Sequence, residues 1–454
     1  MSKSDVVLIA TPPYRRSFRD GRQQPNLGLA YIAAYLRKRG IVCAIIDAYT
    51  FNYETKAIVE RVKKRHPLLI GITASTEDRF GAIQLIRELK RHMPESYILA
   101  GGAHFAHSSV DALNVIPGLD FVCRGDGELV TAALYETVAG GGDLSKINGL
   151  VFRSGKDVIK NPKQRNYVDL NTLMPAWDLY DLDAYQGTLT LTDHTRSIGV
   201  ISSRGCDNTC VFCANSLNRH VRYKEANTFL DEVEHLVVEY GFEGINIQDD
   251  SFTSSFDHVK GVCEGIIHRG LSFNWYCSLR INEVDRLMLE LMKAAGCVGL
   301  GFGIESGSDA ILENVKKGTN TRMIMEVLDM VQDVGFPHLG LFVITSLPGE
   351  TPDTFMESQE FLNTIYARIH PGWKRQAVLG SLATIYPGTA LEVLAKRNGT
   401  MPRDFSWNAM YHNPKQMVFG TNPHVPHFEN PEFPVEAIRQ LVDKTFPGMP
   451  IYIC

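Results

Sequence analysis

The chain has 454 residues, 44% of them apolar, and a formal charge of −5 at pH 7. That length predicts two to three domains with cores of their own, and the mildly acidic balance offers no broad basic field for nucleic acid. No uninterrupted apolar stretch approaches the ~20 residues of a membrane span, and Met1-Ser2-Lys3-Ser4-Asp5 carries no apolar signal core.

Short apolar runs at 6–10, 42–46, 68–73, 97–100 and 121–123 read as strands, and 27–39 as a helix ending at Gly40. Strands alternating with amphipathic segments predict a parallel sheet wrapped on both faces. Ligands of such sheets bind beyond the carboxyl ends of the strands. Those ends carry Thr11-Pro12-Pro13-Tyr14, Thr73-Ala74-Ser75-Thr76, Gly101-Gly102-Ala103-His104 and Arg124-Gly125-Asp126-Gly127-Glu128. Each alone is ordinary turn chemistry. As a set, with Leu27-Gly28-Leu29-Ala30-Tyr31 and Ile70-Gly71-Ile72, they resemble a cobalamin-binding domain. The resemblance implies that Pro13, Tyr14, Thr73, Ser75, Gly101, Gly102, Gly125 and Glu128 face cobalamin. The chain has no Asp-x-His-x-x-Gly, the motif that supplies a cobalt ligand in other such domains. Phe105 and His107 stand where that family tends to carry small residues, and their bulk is expected to crowd the nucleotide tail.

Residues 144–196 read as a connector, with a hairpin formed by 150–153 and 158–160 around Ser154-Gly155-Lys156-Asp157. Met174-Pro175-Ala176-Trp177-Asp178-Leu179-Tyr180 is turn-rich and aromatic, suited to packing between domains.

The apolar run from Ile198 to Ile201 leads into Arg204-Gly205-Cys206-Asp207-Asn208-Thr209-Cys210-Val211-Phe212-Cys213. Three thiolates on one loop can hold an iron–sulfur cluster. A cubane normally takes four cysteines, so three leave one iron open. The alternative is a Cys3His zinc site with His220, although structural zinc usually shows two pairs separated by a long gap. Nine cysteines in all, an odd number, suit a reducing cytosol. Cys43, Cys123, Cys263, Cys277, Cys297 and Cys454 are read as free thiols.

Further strands are predicted at 198–202, 244–248, 273–278, 298–304, 338–345 and 377–385, with helices between them. Six such units predict a partial barrel whose chemistry gathers at the carboxyl strand ends. Those ends carry Gln248-Asp249-Asp250-Ser251-Phe252, Ser278-Leu279-Arg280, Gly303-Ile304-Glu305-Ser306, Leu347-Pro348-Gly349-Glu350-Thr351 and Ile385-Tyr386-Pro387-Gly388-Thr389. For Asp249 and Asp250 the plainer alternative is a solvated turn and a helix cap.

The Cys-x3-Cys-x2-Cys spacing, with aromatic Phe212 before the last cysteine, is similar to the radical S-adenosylmethionine (SAM) family. The strand-end set resembles its cobalamin-associated branch. That resemblance implies a [4Fe–4S] cluster on Cys206, Cys210 and Cys213, with SAM on the open iron. It implies SAM contacts from Phe212, Gln248, Asp249, Asp250, Ser278, Arg280 and Glu305. Asp249 and Asp250 would lie by the amino group, Arg280 by the carboxylate and Glu305 by the ribose or methionine. Tyr223, Asp250 and Tyr386 are candidate proton carriers. Ser346 replaces a common glycine.

The expected molecule is α/β: an N-terminal doubly wound, Rossmann-like cobalamin-binding-like domain (1–143), the connector (144–196), a partial (β/α)6 TIM-type radical SAM barrel (197–400) and a C-terminal cap (401–454). The first domain is expected to pack over the barrel mouth. Family likeness implies hydrogen abstraction from a small-molecule substrate, leading to cobalamin-dependent C-methylation. The alternative outcome is dehydration or rearrangement of a sugar or aminoglycoside with the cobalamin-like domain empty. A cluster-bearing sensor without turnover is a third reading, disfavoured by Asp250, Arg280 and Glu305. A flavodoxin or ferredoxin type reductant, a cytoplasmic location and no membrane or nucleic-acid partner complete the expectations.

Overall fold

The computed structural model describes residues 4–12, 24–185, 187–189, 195–214, 219–369, 373, 378–410, 415–419 and 424–445. They form two units, Met1–Gln186 with Asp404–His412, and Gly187–Arg403 with Asn413–Cys454. No helix among them is long and apolar enough to cross a membrane.

The first unit is built on β1 (Val6–Ala10), β2 (Cys43–Asp47), β3 (Leu69–Thr73), β4 (Tyr97–Gly101), β5 (Phe121–Cys123), β6 (Leu150–Ser154) and β7 (Asp157–Lys160). Their order is β2-β1-β3-β4-β5-β6-β7. The first five strands are parallel, and β6 and β7 add an antiparallel edge. Every residue of β1 is buried, as expected of a strand covered on both faces. Alternation divides its side chains between two cores. Val7 and Ile9 join the core made with helices Thr55–Lys63 and Arg79–His92. Val6, Leu8 and Ala10 join the one made with helices Leu27–Lys38 and Gly127–Gly140.

Two expectations change here. The hairpin at 150–160 is part of this sheet, and the stretch up to Gln186 packs with the first unit. Trp177 is buried, and the Tyr185 hydroxyl donates to Asp47 Oδ2 at 2.5 Å. In addition, β4 runs straight into a short helix, Gly102–His107. That helix turns the Phe105 ring, 0% exposed, into the core, so its bulk does not stand over the strand ends.

The second unit carries β8 (Ser197–Val200), β9 (Gly244–Ile247), β10 (Asn274–Leu279), β11 (Cys297–Glu305), β12 (His338–Thr345) and β13 (Val378–Leu382). All neighbours pair in parallel in the order β13-β12-β11-β10-β9-β8. The crossover helices follow their predicted apolar faces. Ala226–Val238 buries Phe229, Leu230, Val233 and Leu236. Pro352–Arg368 starts with a capping box on Thr351 and Pro at its first turn. Helix Val435–Thr445 packs Ile438 and Val442 on Phe355 of that helix. The result is the partial barrel expected of six strand–helix units.

Candidate active site at the barrel strand ends

β8 is followed by a two-residue ribbon, Ser203–Arg204 against Arg222–Tyr223, and then by the cysteine loop. Gly205 turns the chain at φ 98°, a conformation that favours glycine. Two consecutive carboxylates after β9 hold this entry. Asp249 Oδ1 accepts from Ser202 N at 2.7 Å, and its Oδ2 accepts from Ser202 Oγ at 2.5 Å and Ser203 Oγ at 2.7 Å. Asp250 Oδ2 accepts from Gly205 N at 2.8 Å. Burial raises the Asp249 carboxyl to about 6, although its hydrogen bonds from Ser202 and Ser203 favour the anion. The single Ser202 hydroxyl proton points to Asp249, so the proton on His258 is assigned to Nε2, which donates to Ser202 Oγ at 2.8 Å. Burial lowers His258 to about 4.

The far end of the loop is pinned by Val211 N on Val315 O at 3.0 Å and Leu391 N on Val211 O at 3.3 Å. Cys210 is buried and Cys206 and Cys213 are half-buried. Arg280 Nη1 donates to Cys210 Sγ at 3.3 Å, and Asn208 Nδ2 lies 3.5 Å from Cys206 Sγ. Three soft sulfurs, two of them facing N–H donors, fit an iron–sulfur cluster. Among the described residues no group of three or more His, Cys, Asp and Glu is arranged to grip one ion. The Cys3His set with His220 is therefore not assembled, whereas cysteines bound to separate irons need not meet at one point.

The remaining predicted SAM residues divide by exposure. Gln248, Asp250 and Ser278 are exposed at the ends of β9 and β10, open to a ligand. Asp249, Arg280 and Glu305 are buried with protein partners. Glu305 takes φ 61° beyond a register shift in β11, and its Oε1 accepts from Lys317 Nζ at 2.7 Å. A side chain at Gly303 would collide with that pair, its Cβ falling 2.4 Å from Glu305 Oε1 and 2.7 Å from Lys317 Nζ. Phe212 and Tyr386 are half-buried on their loops. The Tyr223 hydroxyl lies 2.9 Å from Ser254 Oγ, and its ring centroid is 4.8 Å from that of His258. The sequence reading passed over Ser202, Ser203, Asn208, His258, Glu283 and Lys317. Only Glu283, one turn beyond Arg280 in Arg280-Ile281-Asn282-Glu283, offered a local signal as an acid beside a base.

In the first unit the sheet order places a switch point between β1 and β3, where a doubly wound sheet opens a ligand crevice. Thr73 is half-buried there, its carbonyl accepting from Thr11 Oγ1 at 2.7 Å. Ser75 is exposed and donates to Asp78 Oδ2 at 3.0 Å. Gly102 is exposed at φ 82°, and a Cβ on it would lie 2.5 Å from Thr73 Oγ1. Gly101 ends β4, Gly125 is exposed and Glu128 is buried. Small residues at three strand ends, with Phe105 in the core, fit a bulky ligand above the sheet. Pro13 and Tyr14 lie outside the described residues.

Residues 200–362 match the radical SAM superfamily and residues 20–135 the B12 binding domain. An uncharacterized methyltransferase of Pyrococcus horikoshii is 29% identical over 403 residues, covering 87% of this chain and 84% of its own. An anaerobic magnesium-protoporphyrin IX monomethyl ester cyclase of Synechocystis is 27% identical over 344 residues, covering 74% and 68%. Among solved structures, the radical SAM methyltransferase TsrM of Kitasatospora setae, with cobalamin and a [4Fe-4S] cluster bound, superposes with a TM-score of 0.71 at 16% identity, covering 95% of this chain and 85% of that one. At that identity the likeness concerns the fold.

Proposed function

We propose that this chain, whose residues 200–362 match the radical SAM superfamily and residues 20–135 the B12 binding domain, is a cobalamin-dependent C-methyltransferase acting on a small biosynthetic intermediate. The observation that carries the reading is the cysteine loop held at both ends on a parallel half-barrel, in a chain whose other sheet ends in small residues.

Cys206, Cys210 and Cys213 would hold the cluster, and the end of the first sheet, Thr73 to Ser75, Gly101, Gly102 and Gly125, would hold cobalamin. Bound there, cluster and SAM supply a 5′-deoxyadenosyl radical, and methylcobalamin supplies a methyl group. The chain's part is positional. Asp249 and Asp250 fix where the loop begins. Exposed Gln248, Asp250 and Ser278 would orient SAM at the mouth. Buried Glu305, neutralised by Lys317, would form a wall that water does not reach. Tyr223 and Tyr386 would move protons. A flavodoxin or ferredoxin type protein would deliver the electron. The alternative of dehydration with an empty cobalamin-like domain drew in part on the bulk of Phe105 and His107; the Phe105 ring lies in the core, which removes that part of the ground for Phe105 alone.

The test is anaerobic reconstitution with iron and sulfide, followed by hydroxocobalamin and desalting. The expected protein is brown, retains near-stoichiometric corrinoid and releases 5′-deoxyadenosine from SAM, with Cys210→Ala abolishing that release. A colourless zinc protein would end the radical reading. A brown protein that releases its corrinoid on desalting would end the methyl-transfer reading alone.

A further inference from the structure

The N–H groups around the cysteine loop converge on one carboxylate. Glu283 Oε1 lies 3.4 Å from Asn208 Nδ2 and 3.6 Å from Arg280 Nε. Its other oxygen accepts from the Ser251 hydroxyl and, at 3.1 Å, from Thr253 Oγ1. Four groups thus hold the carboxylate, which is 14% exposed. Asn208 in turn reaches Cys206 Sγ, sharing its amide with Asp207 Oδ1 at 3.2 Å, and Arg280 reaches Cys210 Sγ. The rest of the guanidinium is fixed as well. Nη2 donates to Lys317 O, and Nε donates to Asn282 Oδ1 at 3.3 Å. A buried, fully charged guanidinium has no reason to lie against a neutral thiol when carboxylates are near. It has good reason to lie against a sulfur that carries negative charge.

We propose that Arg280 and Asn208 are N–H donors to the cluster sulfurs of Cys210 and Cys206, that Glu283 is the positioning residue for both, and that together they set the reduction potential of the cluster. The inference rests on the function proposed above and deepens it. Arg280 acquires a role that precedes SAM binding, beside any contact with the SAM carboxylate. The sign follows from charge. One-electron reduction makes the cluster more negative. Hydrogen bonds and positive charge at its sulfurs favour the reduced form. They raise the potential and make the first electron easier to accept.

The experiment is an EPR-monitored redox titration of the full-length, anaerobically reconstituted protein without SAM, with dithionite as reductant. Arg280→Met removes the donor and the charge. At a fixed poise its reduced-to-oxidised ratio is expected to fall about tenfold, which is 59 mV for one electron. Arg280→Lys keeps the charge and loses the fork, and it is expected to fall by less, in the same direction. It also decides the matter if Arg280→Met assembles no cluster. Asn208→Ala is expected to fall by a few-fold. Glu283→Asp keeps the charge but retracts it by one methylene. It is expected to lower the ratio in the wild-type background and to leave it unchanged in the Asn208→Ala/Arg280→Met background. An equal shift in both backgrounds would overturn the positioning role. Unchanged SAM-free potentials in the arginine variants, with only weaker SAM binding, would overturn the tuning role while leaving the radical reading intact. A wild-type chain that forms no EPR-active cluster would end both.

Discussion

Asp249 shows what a buried carboxylate does when every partner is a donor. Its oxygens accept from Ser202 N, Ser202 Oγ and Ser203 Oγ, and removing the acceptor would leave Ser202 N and Ser203 Oγ unmatched, with His258 the remaining partner of Ser202 Oγ. Asp249→Ala is expected to cost on the order of 2–4 kcal/mol, read from urea midpoints of the cluster-free chain. Asp249→Asn separates charge from shape. Burial raises the native carboxyl to about 6, from 3.8, so the native state binds this proton more tightly than the unfolded chain does. The associated stability is present below about pH 4 and is lost as pH rises through 6. The group is fully enclosed, and a rise of that size corresponds to about 3 kcal/mol. Wild type should lose stability across that window by roughly this amount relative to Asp249→Asn. Parallel pH profiles for the two proteins would show that burial leaves this carboxyl unshifted between the native and unfolded chains.

At the scale of elements, two neighbouring strand ends of the barrel hold strained residues. Glu305 ends β11 at φ 61°, and Ser346 follows the neighbouring β12 at φ 64°. Non-glycine residues there cost about 1 kcal/mol, and such strain gathers at functional sites. Ser346 is held by its N donating to Glu350 Oε2 at 2.6 Å and its Oγ donating to Phe428 O at 2.8 Å. Replacing it with Ala loses the hydroxyl and keeps the strain, while Gly loses the hydroxyl and relieves the strain. Ser346→Gly should therefore unfold at higher urea than Ser346→Ala by about 1 kcal/mol, the reverse of their order within a helix. The opposite ranking would show that Ser346 is unstrained. The strands themselves were legible from their apolar runs: 6–10 and 121–123, buried at every residue, were read to the residue, and so was 338–345, where buried and half-buried residues alternate over most of its length. The hairpin at 150–160 was legible as a hairpin, but its place in the sheet was not. Exposed β7, with one residue half-buried, carries no sign of its neighbour. The cysteine spacing was legible because one loop carries it. The Glu283 hub was not, because its partners come from three separate loops. Phe105 misled for a related reason: bulk can be read from sequence, but direction is set by the short helix that carries it.

At the scale of the molecule, the first unit is built from two pieces of chain. Asp404–His412 belongs to it. Asp111 accepts from Ser406 Oγ at 2.7 Å, Asn408 N at 3.0 Å and Asn408 Nδ2 at 2.7 Å. Arg79 Nε donates to Trp407 O at 2.8 Å, and His104 Nε2 lies 3.2 Å from Asn408 Oδ1 across 304 residues of sequence. No local period announces such a contact, which is why the segment read as part of a cap. His104 is 0% exposed and burial lowers it to about 3. A depressed histidine contributes stability that is present above its unfolded value, near 6.5, and is lost as pH falls from there. A fragment spanning 1–186 lacks Trp407 and Asn408, so water should reach His104 and its titration should move back toward 6.5. The fragment is expected to be weaker than the same fragment supplied with the 404–412 peptide, and the peptide should raise its urea midpoint with saturating concentration dependence. The fragment alone should also lose less stability between pH 7 and pH 5 than the peptide complex, because less of the histidine's burial remains. A fragment with the same midpoint and pH slope with and without the peptide would show that the first 186 residues form this core unaided.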